Sequence, residues 1–207
     1  MSDSSVEFAS LLCSRLCHDL LSPVGAMSNG LELLADEDDP DMRERVMELL
    51  ADSARASADR LKFFRLAFGA GGGFGETLAA DEVKAAVEGL VRGNPRIELG
   101  WMVEIPAIPK TAAKILLNLT MVAFDALMRG GRLTVGVEQG EVVVRAEGPR
   151  IVLDAEIRTV LADGVGAVSS RTSAAWLIRK LADEVGGSVA LADGEEGVLL
   201  LAASLPG

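Results

Sequence analysis

Leu12, Leu16, Leu20, Val24, Met27, Leu31 and Leu34 recur three and four residues apart, which sets them on one stripe of a long helix. That helix is predicted from Ser4 or Ser5, a plausible N-cap, to Ala35, where the acidic loop Asp36-Glu37-Asp38-Asp39-Pro40 stops it. A second helix is predicted from Asp41 to Phe68. Its apolar positions Met42, Val46, Leu49, Leu50, Leu61, Phe64 and Phe68 are interleaved with small Ser53, Ala54 and Ser57. Two helices cannot enclose two stripes. The hairpin therefore needs cover, either from a second copy, giving a dimeric four-helix bundle, or from its own C-terminal half; the dimer is the expectation.

The run Gly69-Ala70-Gly71-Gly72-Gly73-Phe74-Gly75 marks the clearest boundary. It follows a helix and lacks a Lys-Ser/Thr pair, so it reads as a hinge over 70–75 rather than a phosphate cradle. The chain thus divides into a hairpin, 1–69, and a second domain, 76–207. In the latter, Leu78 to Val91 and Lys110 to Met128 read as helices and Ile97 to Ile105 as a strand. Arg132 to Glu138 and Glu141 to Glu147 alternate apolar and polar residues across Gln139-Gly140, a hairpin pattern. Ser173 to Glu184 reads as a helix ended by Gly186-Gly187, and Ser188 to Ala192 and Val198 to Ser204 as closing strands. The order is not strictly strand-helix-strand. The expected class is α+β, with an antiparallel or mixed sheet covered by helices on one face.

Charge narrows the partners. Thirty-one acidic against twenty basic residues leave a formal charge of −11, which repels nucleic-acid backbones and anionic lipid and favours a protein with a basic docking face. Ile115 to Met128 is interrupted by Asn118, Thr120 and Asp125, so no membrane span is expected, and Met-Ser-Asp-Ser-Ser lacks the basic start of a secretion signal. The expected location is the cytoplasm. Cys13 and Cys17 lie next to His18 at helical spacing, but no second Cys/His cluster completes a metal site. They read as small apolar fillers, and no metal or cofactor site of the chain's own is expected.

The only histidine, His18, stands in Cys17-His18-Asp19-Leu20-Leu21-Ser22-Pro23-Val24-Gly25-Ala26. A lone helical histidine is usually an ordinary surface or core residue, yet this one has a carboxylate beside it, Ser22 one turn on, and Pro23 removing a backbone donor in mid-helix. It lies off the apolar stripe. Its helical neighbours Ser14, Arg15, Leu21, Ser22 and Gly25 are mostly small or polar, leaving room for another protein to approach. Docking is expected on Leu11, Ser14, Arg15, Leu21 and Gly25. Asp19 is expected to orient the imidazole, and Ser22 and Pro23 to shape the site, Ser22 by satisfying the carbonyl that the proline frees.

His18-Asp19-Leu20-Leu21-Ser22-Pro23 resembles the H-box of two-component histidine kinases, whose phosphotransfer domain is a dimeric four-helix bundle. The second domain resembles their ATP-binding domain, with departures at the positions that matter. Ile115-Leu116-Leu117-Asn118-Leu119-Thr120-Met121-Val122-Ala123 looks like an N-box, but Val122 stands where the metal-coordinating asparagine would be. In Val144-Arg145-Ala146-Glu147-Gly148-Pro149-Arg150-Ile151 the adenine-binding aspartate is replaced by Ala146 and a loop glycine by Arg150. Thr172-Ser173-Ala174 takes the place of the phosphate-loop glycines, while the ending Gly186-Gly187 to Leu205-Pro206 is intact. Mg²⁺ then lacks an oxygen ligand, adenine lacks an acceptor, and the backbone cannot wrap a triphosphate.

An H-box kept beside a lost ATP site resembles the ChpT-type histidine phosphotransferases of alphaproteobacteria. The resemblance implies a dimeric phosphorelay through His18, from the receiver domain of a hybrid histidine kinase of the CckA type to response regulators of the CtrA and CpdR type. Mg²⁺ would come from the receiver. Two other readings stay open: an atypical ATP-dependent histidine kinase, marked by nucleotide binding, and a non-catalytic dimeric scaffold, marked by failure to take up phosphate. Trp176 is expected either to plug the vacated nucleotide cavity or to serve as core.

Overall fold

The computed structural model describes residues 2–69, 76–193 and 196–206. The expected hinge at 70–75 lies outside the described residues. Helix α1 spans Ser2–Asp36 and α2 Pro40–Ala67. The first helix therefore starts before the expected Ser4 or Ser5. Asp39 caps α2 by accepting the Asp41 N–H at 2.9 Å, and Pro40 opens the helix where a missing donor costs nothing. Arg43 braces the turn, donating to the Leu34 and Glu37 carbonyls at 3.0 and 2.7 Å.

Small residues let α1 and α2 approach closely along their seam, where buried Val46 also packs. Gly30, Ser53 and Ser57 are buried, and a Cβ on Gly30 would meet the Leu50 side chain at 2.9 Å. Because the helices meet there, the expected single buried stripe of α1 is divided. Pro23 is buried, Leu12, Leu16, Leu20, Met27 and Leu34 are half-buried, and Val24 and Leu31 are exposed, Leu31 at 62%. Met42, Met47, Leu49 and Leu61 of α2 are likewise exposed.

The second domain follows as β1 Thr77–Ala79, α3 Ala80–Arg92, β2 Ile97–Val103, β3 Ala107–Pro109, α4 Lys110–Ala126, β4 Gly131–Glu138, β5 Glu141–Glu147, α5 Ala155–Asp163, α6 Ser173–Glu184, β6 Ser188–Asp193 and β7 Val198–Ser204. The class is α+β, as expected. The main sheet runs β2-β4-β5-β7-β6, with β2 parallel to β4 and the other neighbours antiparallel. Gln139 and Gly140 both take positive φ, 47° and 84°, the twist that a two-residue hairpin turn requires. This sets the β4/β5 register, so Leu133, Ala146 and Leu199 form one buried row, Val135, Val144 and Leu201 a second, and Val137, Val142 and Ala203 a third. The opposite face of these strands is half-buried or exposed.

Helix α4 is buried around most of its circumference because it lies between the sheet and the hairpin. Ile115, Leu116, Leu117 and Leu119 share one core with Phe63, Phe64, Leu66 and Ala67 of α2. The Asn118 Nδ2 ties the two, donating to the Ala67 carbonyl at 3.1 Å and to that of Lys114 at 2.8 Å. One end of the hairpin is thus covered by the chain's own C-terminal half, while apolar residues nearer the α1/α2 turn stay open.

Two features escaped the sequence reading: the short β1/β3 pair, with Leu78 opposite Ile108, and helix α5. Asp154 caps α5, accepting from the Glu156 N–H at 2.8 Å, and Arg171 reaches the same carboxylate. Desolvation opposes ionisation, but the two backbone N–H groups and Arg171 together outweigh it, so the carboxyl titrates below its usual value. A depressed folded value means stability present above the unfolded value of about 3.9 and lost as pH falls through the folded one. Asp154→Ala should cost about 1 kcal/mol in urea unfolding at pH 7. The difference from the parent should shrink as the buffer is taken below pH 4; a pH-independent difference would refute the capping role.

Candidate functional site

His18 presents its ring to solvent, with 83% of the side chain exposed. Its Nδ1 lies 3.0 Å from Asp19 Oδ1. The other carboxylate oxygen of Asp19 accepts from Arg15 Nε at 2.9 Å, one helical turn back. Arg15 Nη2 in turn donates to Asp125 Oδ2 of α4 at 2.6 Å. A carboxylate held by a guanidinium is an acceptor only, so Nδ1 of a neutral ring carries the proton and Nε2 keeps its lone pair open to solvent.

Burial would lower the Arg15 pKa, but Asp125 and Asp19 together hold it above its usual value. Burial pushes the Asp125 carboxyl up, and Arg15 only partly counters this, although 46% of the Asp125 side chain surface remains accessible.

Pro23 lies inside α1, so the Asp19 carbonyl lacks its ordinary helical donor. Arg60 of α2 replaces it, with Nη1 2.8 Å from that oxygen. Ser22, expected to do so, is exposed. The guanidinium wins because the carbonyl faces the α1/α2 seam, where Arg60 lies. Arg15, Asp19, Arg60 and Asp125 border a cavity of about 100 Å³ walled by Phe63, Phe64, Leu90, Met121 and Phe124.

Of the residues expected on the docking face, Ser14 and Leu21 are exposed, Leu21 at 69%, and Leu11 is half-buried. Gly25 leaves open space, with nothing within 4 Å of an added Cβ. Arg15 departs from the expectation: it keeps only 16% of its side chain exposed and turns inward to the two aspartates. Cys13 and Cys17 are exposed, not fillers, because that face of α1 is covered by neither α2 nor the second domain. Among the described residues no group of three or more His, Cys, Asp and Glu is placed to hold a metal ion.

The positions that would serve a nucleotide are built into packing. Val122 and Ala146 belong to the core, Ala146 in the first buried row of the sheet. Thr172 and Ser173 are buried and bond locally, Thr172 Oγ1 to the Ala167 carbonyl at 2.8 Å and Ser173 Oγ to that of Ser170 at 2.9 Å. Trp176 is half-buried against the core, its Nε1 3.4 Å from the Ala167 carbonyl. Arg60 and Asp125 are the two members of the site that sequence reasoning missed. Asp125 registered only as an acid interrupting an apolar run, and nothing in the local pattern singled out Arg60.

A profile describing the histidine phosphotransferase C-terminal domain matches residues 80–197. The chain belongs to the histidine phosphotransferase family. It is 40% identical over 139 residues to the protein phosphotransferase ChpT of Brucella abortus (strain 2308), a stretch spanning 65% of this chain and 63% of that protein, just under two thirds of its length. Among solved structures, a bacterial phosphotransferase superposes with a TM-score of 0.83 at 28% identity, covering 96% of each chain. The histidine kinase AdeS of Acinetobacter baumannii gives a TM-score of 0.45 at 10% identity, covering 91% of this chain and 96% of that one. The expected likeness to the histidine phosphotransferases therefore stands. As in the resemblance read from the H-box, this family member carries its histidine on a helical hairpin ahead of the matched domain. No described helix is long and apolar enough to cross a membrane.

Proposed function

We propose that the chain is a cytoplasmic, homodimeric histidine phosphotransferase that relays a phosphoryl group between receiver domains through His18. The observation that carries this reading is the imidazole itself: exposed, with Nδ1 against Asp19 and Nε2 facing outward. The Nε2 lone pair attacks the phosphorus of the donor's aspartyl phosphate. The Nε2–P bond forms as the bond from phosphorus to the aspartyl oxygen breaks, and the donor carboxylate leaves with that electron pair. Asp19 stabilises the positive charge that grows on the ring through its bond to Nδ1–H. In the second step an acceptor carboxylate attacks the phosphorus, and the N–P electron pair returns to Nε2. Such transfer depends chiefly on in-line positioning and charge neutralisation, so few groups are needed on this side.

Mg²⁺ would come from the receiver and would supply charge neutralisation there; in support, the Asp19 and Asp125 carboxylates beside His18 are already paired with Arg15. Docking uses Leu11, Ser14, Leu21 and Gly25, with Leu21 entering an apolar groove of the receiver. Arg15 acts from beneath that face. The donor is the receiver of a CckA-type hybrid kinase, and the acceptors are regulators of the CtrA and CpdR type. The absence of nucleotide chemistry is supported by Val122 and Ala146, side chains without acceptors that are buried in the core.

Homodimerisation is supported by the exposed Val24, Leu31, Leu33, Met42, Met47 and Leu49 on the hairpin. Sedimentation velocity should return about twice the 21.7 kDa mass of one chain. A single-chain mass at tens of micromolar protein would remove the dimer from this reading. For the relay, the chain is mixed with a phosphorylated, isotopically labelled receiver and, separately, with labelled ATP alone. Acid-labile label should arrive from the receiver and not from ATP. Failure to take label from phosphorylated receivers of the CckA, CtrA and CpdR types, or labelling from ATP, overturns the assignment.

A further inference from the structure

The second domain reaches the phosphoryl-accepting histidine through one continuous set of charged contacts. Asp125 on α4 holds one arm of the Arg15 guanidinium, and another arm holds Asp19 Oδ2. Asp19 Oδ1 is thereby left facing the ring nitrogen. We propose that Asp125 is a positioning residue for phosphoryl transfer, acting through Arg15 on Asp19 to fix the orientation and tautomer of His18. This rests on reading His18 as the phosphoryl acceptor.

Three observations support it. First, the surroundings give Arg15 no substitute partner. The cavity at its end is walled by Phe63, Phe64, Leu90, Met121 and Phe124, and the remaining polar group is the like-charged Arg60. Without the Asp125 charge the guanidinium loses the contact that fixes its second arm, so it no longer holds Asp19 Oδ2 in one direction. Second, the two oxygens of Asp19 have divided duties, so releasing one frees the carboxylate to rotate away from Nδ1. Third, the Arg15–Asp125 bond joins α1 directly to α4 across 110 positions of sequence at 2.6 Å, so the place of the guanidinium is set by the second domain. The domain that has lost its nucleotide-binding residues thereby keeps a purpose, because its helix α4 sets the geometry of a residue on α1.

The chain contains a single histidine, so labelling histidine with ¹⁵N gives one pair of ring-nitrogen signals. In the parent protein the neutral ring should show Nδ1 protonated and Nε2 bare. Asp125→Asn should shift the signals toward the Nε2–H form that free histidine prefers, and slow label uptake from a phosphorylated receiver by roughly 10- to 100-fold, the scale of a misplaced reacting group. Arg15→Lys keeps the charge but replaces a planar fork, whose separate N–H groups hold the two carboxylates in fixed directions, with a single ammonium on a shorter reach, and should reproduce both changes. Combining the two substitutions should add little to either.

Unaltered ring-nitrogen signals in both variants overturn the proposal whatever the rates do, because Asp125 would then serve docking or folding. Altered signals with parental rates overturn it equally. His18→Ala separates this failure from that of the relay itself. If His18→Ala abolishes labelling while Asp125→Asn and Arg15→Lys change nothing, only the positioning role falls; if labelling survives His18→Ala, the acceptor has been misidentified.

Discussion

His18→Ala should stop the chain from accepting a phosphoryl group from a labelled receiver, lowering uptake by more than about 10³-fold, the scale seen when a nucleophile is removed. No other imidazole exists to replace it. The nearby candidates are poorly placed to compete. Asp19 is committed to Arg15 and to the ring, and an oxygen ester at Ser22 would not share the acid lability of a phosphoramidate. The loss should be chemical, not conformational. With 83% of the side chain exposed, the ring contributes little packing, so unfolding free energy should stay within about 0.5 kcal/mol of the parent. Receiver binding should also persist, because Leu21 and its neighbours are untouched. The decisive measurement is acid-labile label on the chain with and without the substitution; label retained in the variant excludes His18 as acceptor.

Phe63→Ala should be the most destabilising of the substitutions considered, by about 3–5 kcal/mol. Phe63 is fully buried, packed edge-to-face on Phe64 with ring centroids 6.0 Å apart, and Phe64 stacks on Phe68 at 5.3 Å. These rings stand where the C-terminal end of α2 enters the core formed with α3, α4 and the sheet. Truncation there removes a large apolar group from a site bounded by rigid elements on several sides, so the space cannot collapse. Against a total stability of about 5–15 kcal/mol for domains of ordinary size, the loss is a large fraction. Phe63 also walls the cavity beside Arg15 and Asp19, so label uptake should fall with stability. Urea unfolding checks it: a cost below about 1 kcal/mol, the ordinary size of a point-mutation effect, would mean that hairpin and second domain do not share a core.

The resemblance to the histidine phosphotransferases was readable from a few short strings because those strings combine a chemical group with its immediate neighbours. His18 with Asp19, and Val122 or Ala146 in place of polar residues, need no knowledge of the fold to be noticed. What those strings concealed was the orientation of each partner. Arg15 is a plausible docking residue on a helical wheel, and only the position of α4 turns it inward. Ser22 is a natural donor for a carbonyl freed by Pro23, until α2 brings Arg60 to the same oxygen. The leucine stripe of α1 is covered only in part within one chain for a related reason: periodicity reports which residues share a face, but the elements packed against that face decide which of them are covered.

By itself the sequence determined the elements whose causes are local. Helical periodicity and the acidic loop from Asp36 to Pro40 placed the hairpin, alternation and the Gln139-Gly140 turn placed β4 and β5, and the glycines after α6 placed its end. Tertiary structure alone decided the short β1/β3 pairing, the burial of α4 between sheet and hairpin, and the contacts that complete the site. Arg60 bonds the Asp19 carbonyl across 41 positions of sequence, and Asp125 bonds Arg15 across 110. Backbone preference and side-chain periodicity act over a few residues, whereas a guanidinium takes whichever acceptor the packed core delivers to it.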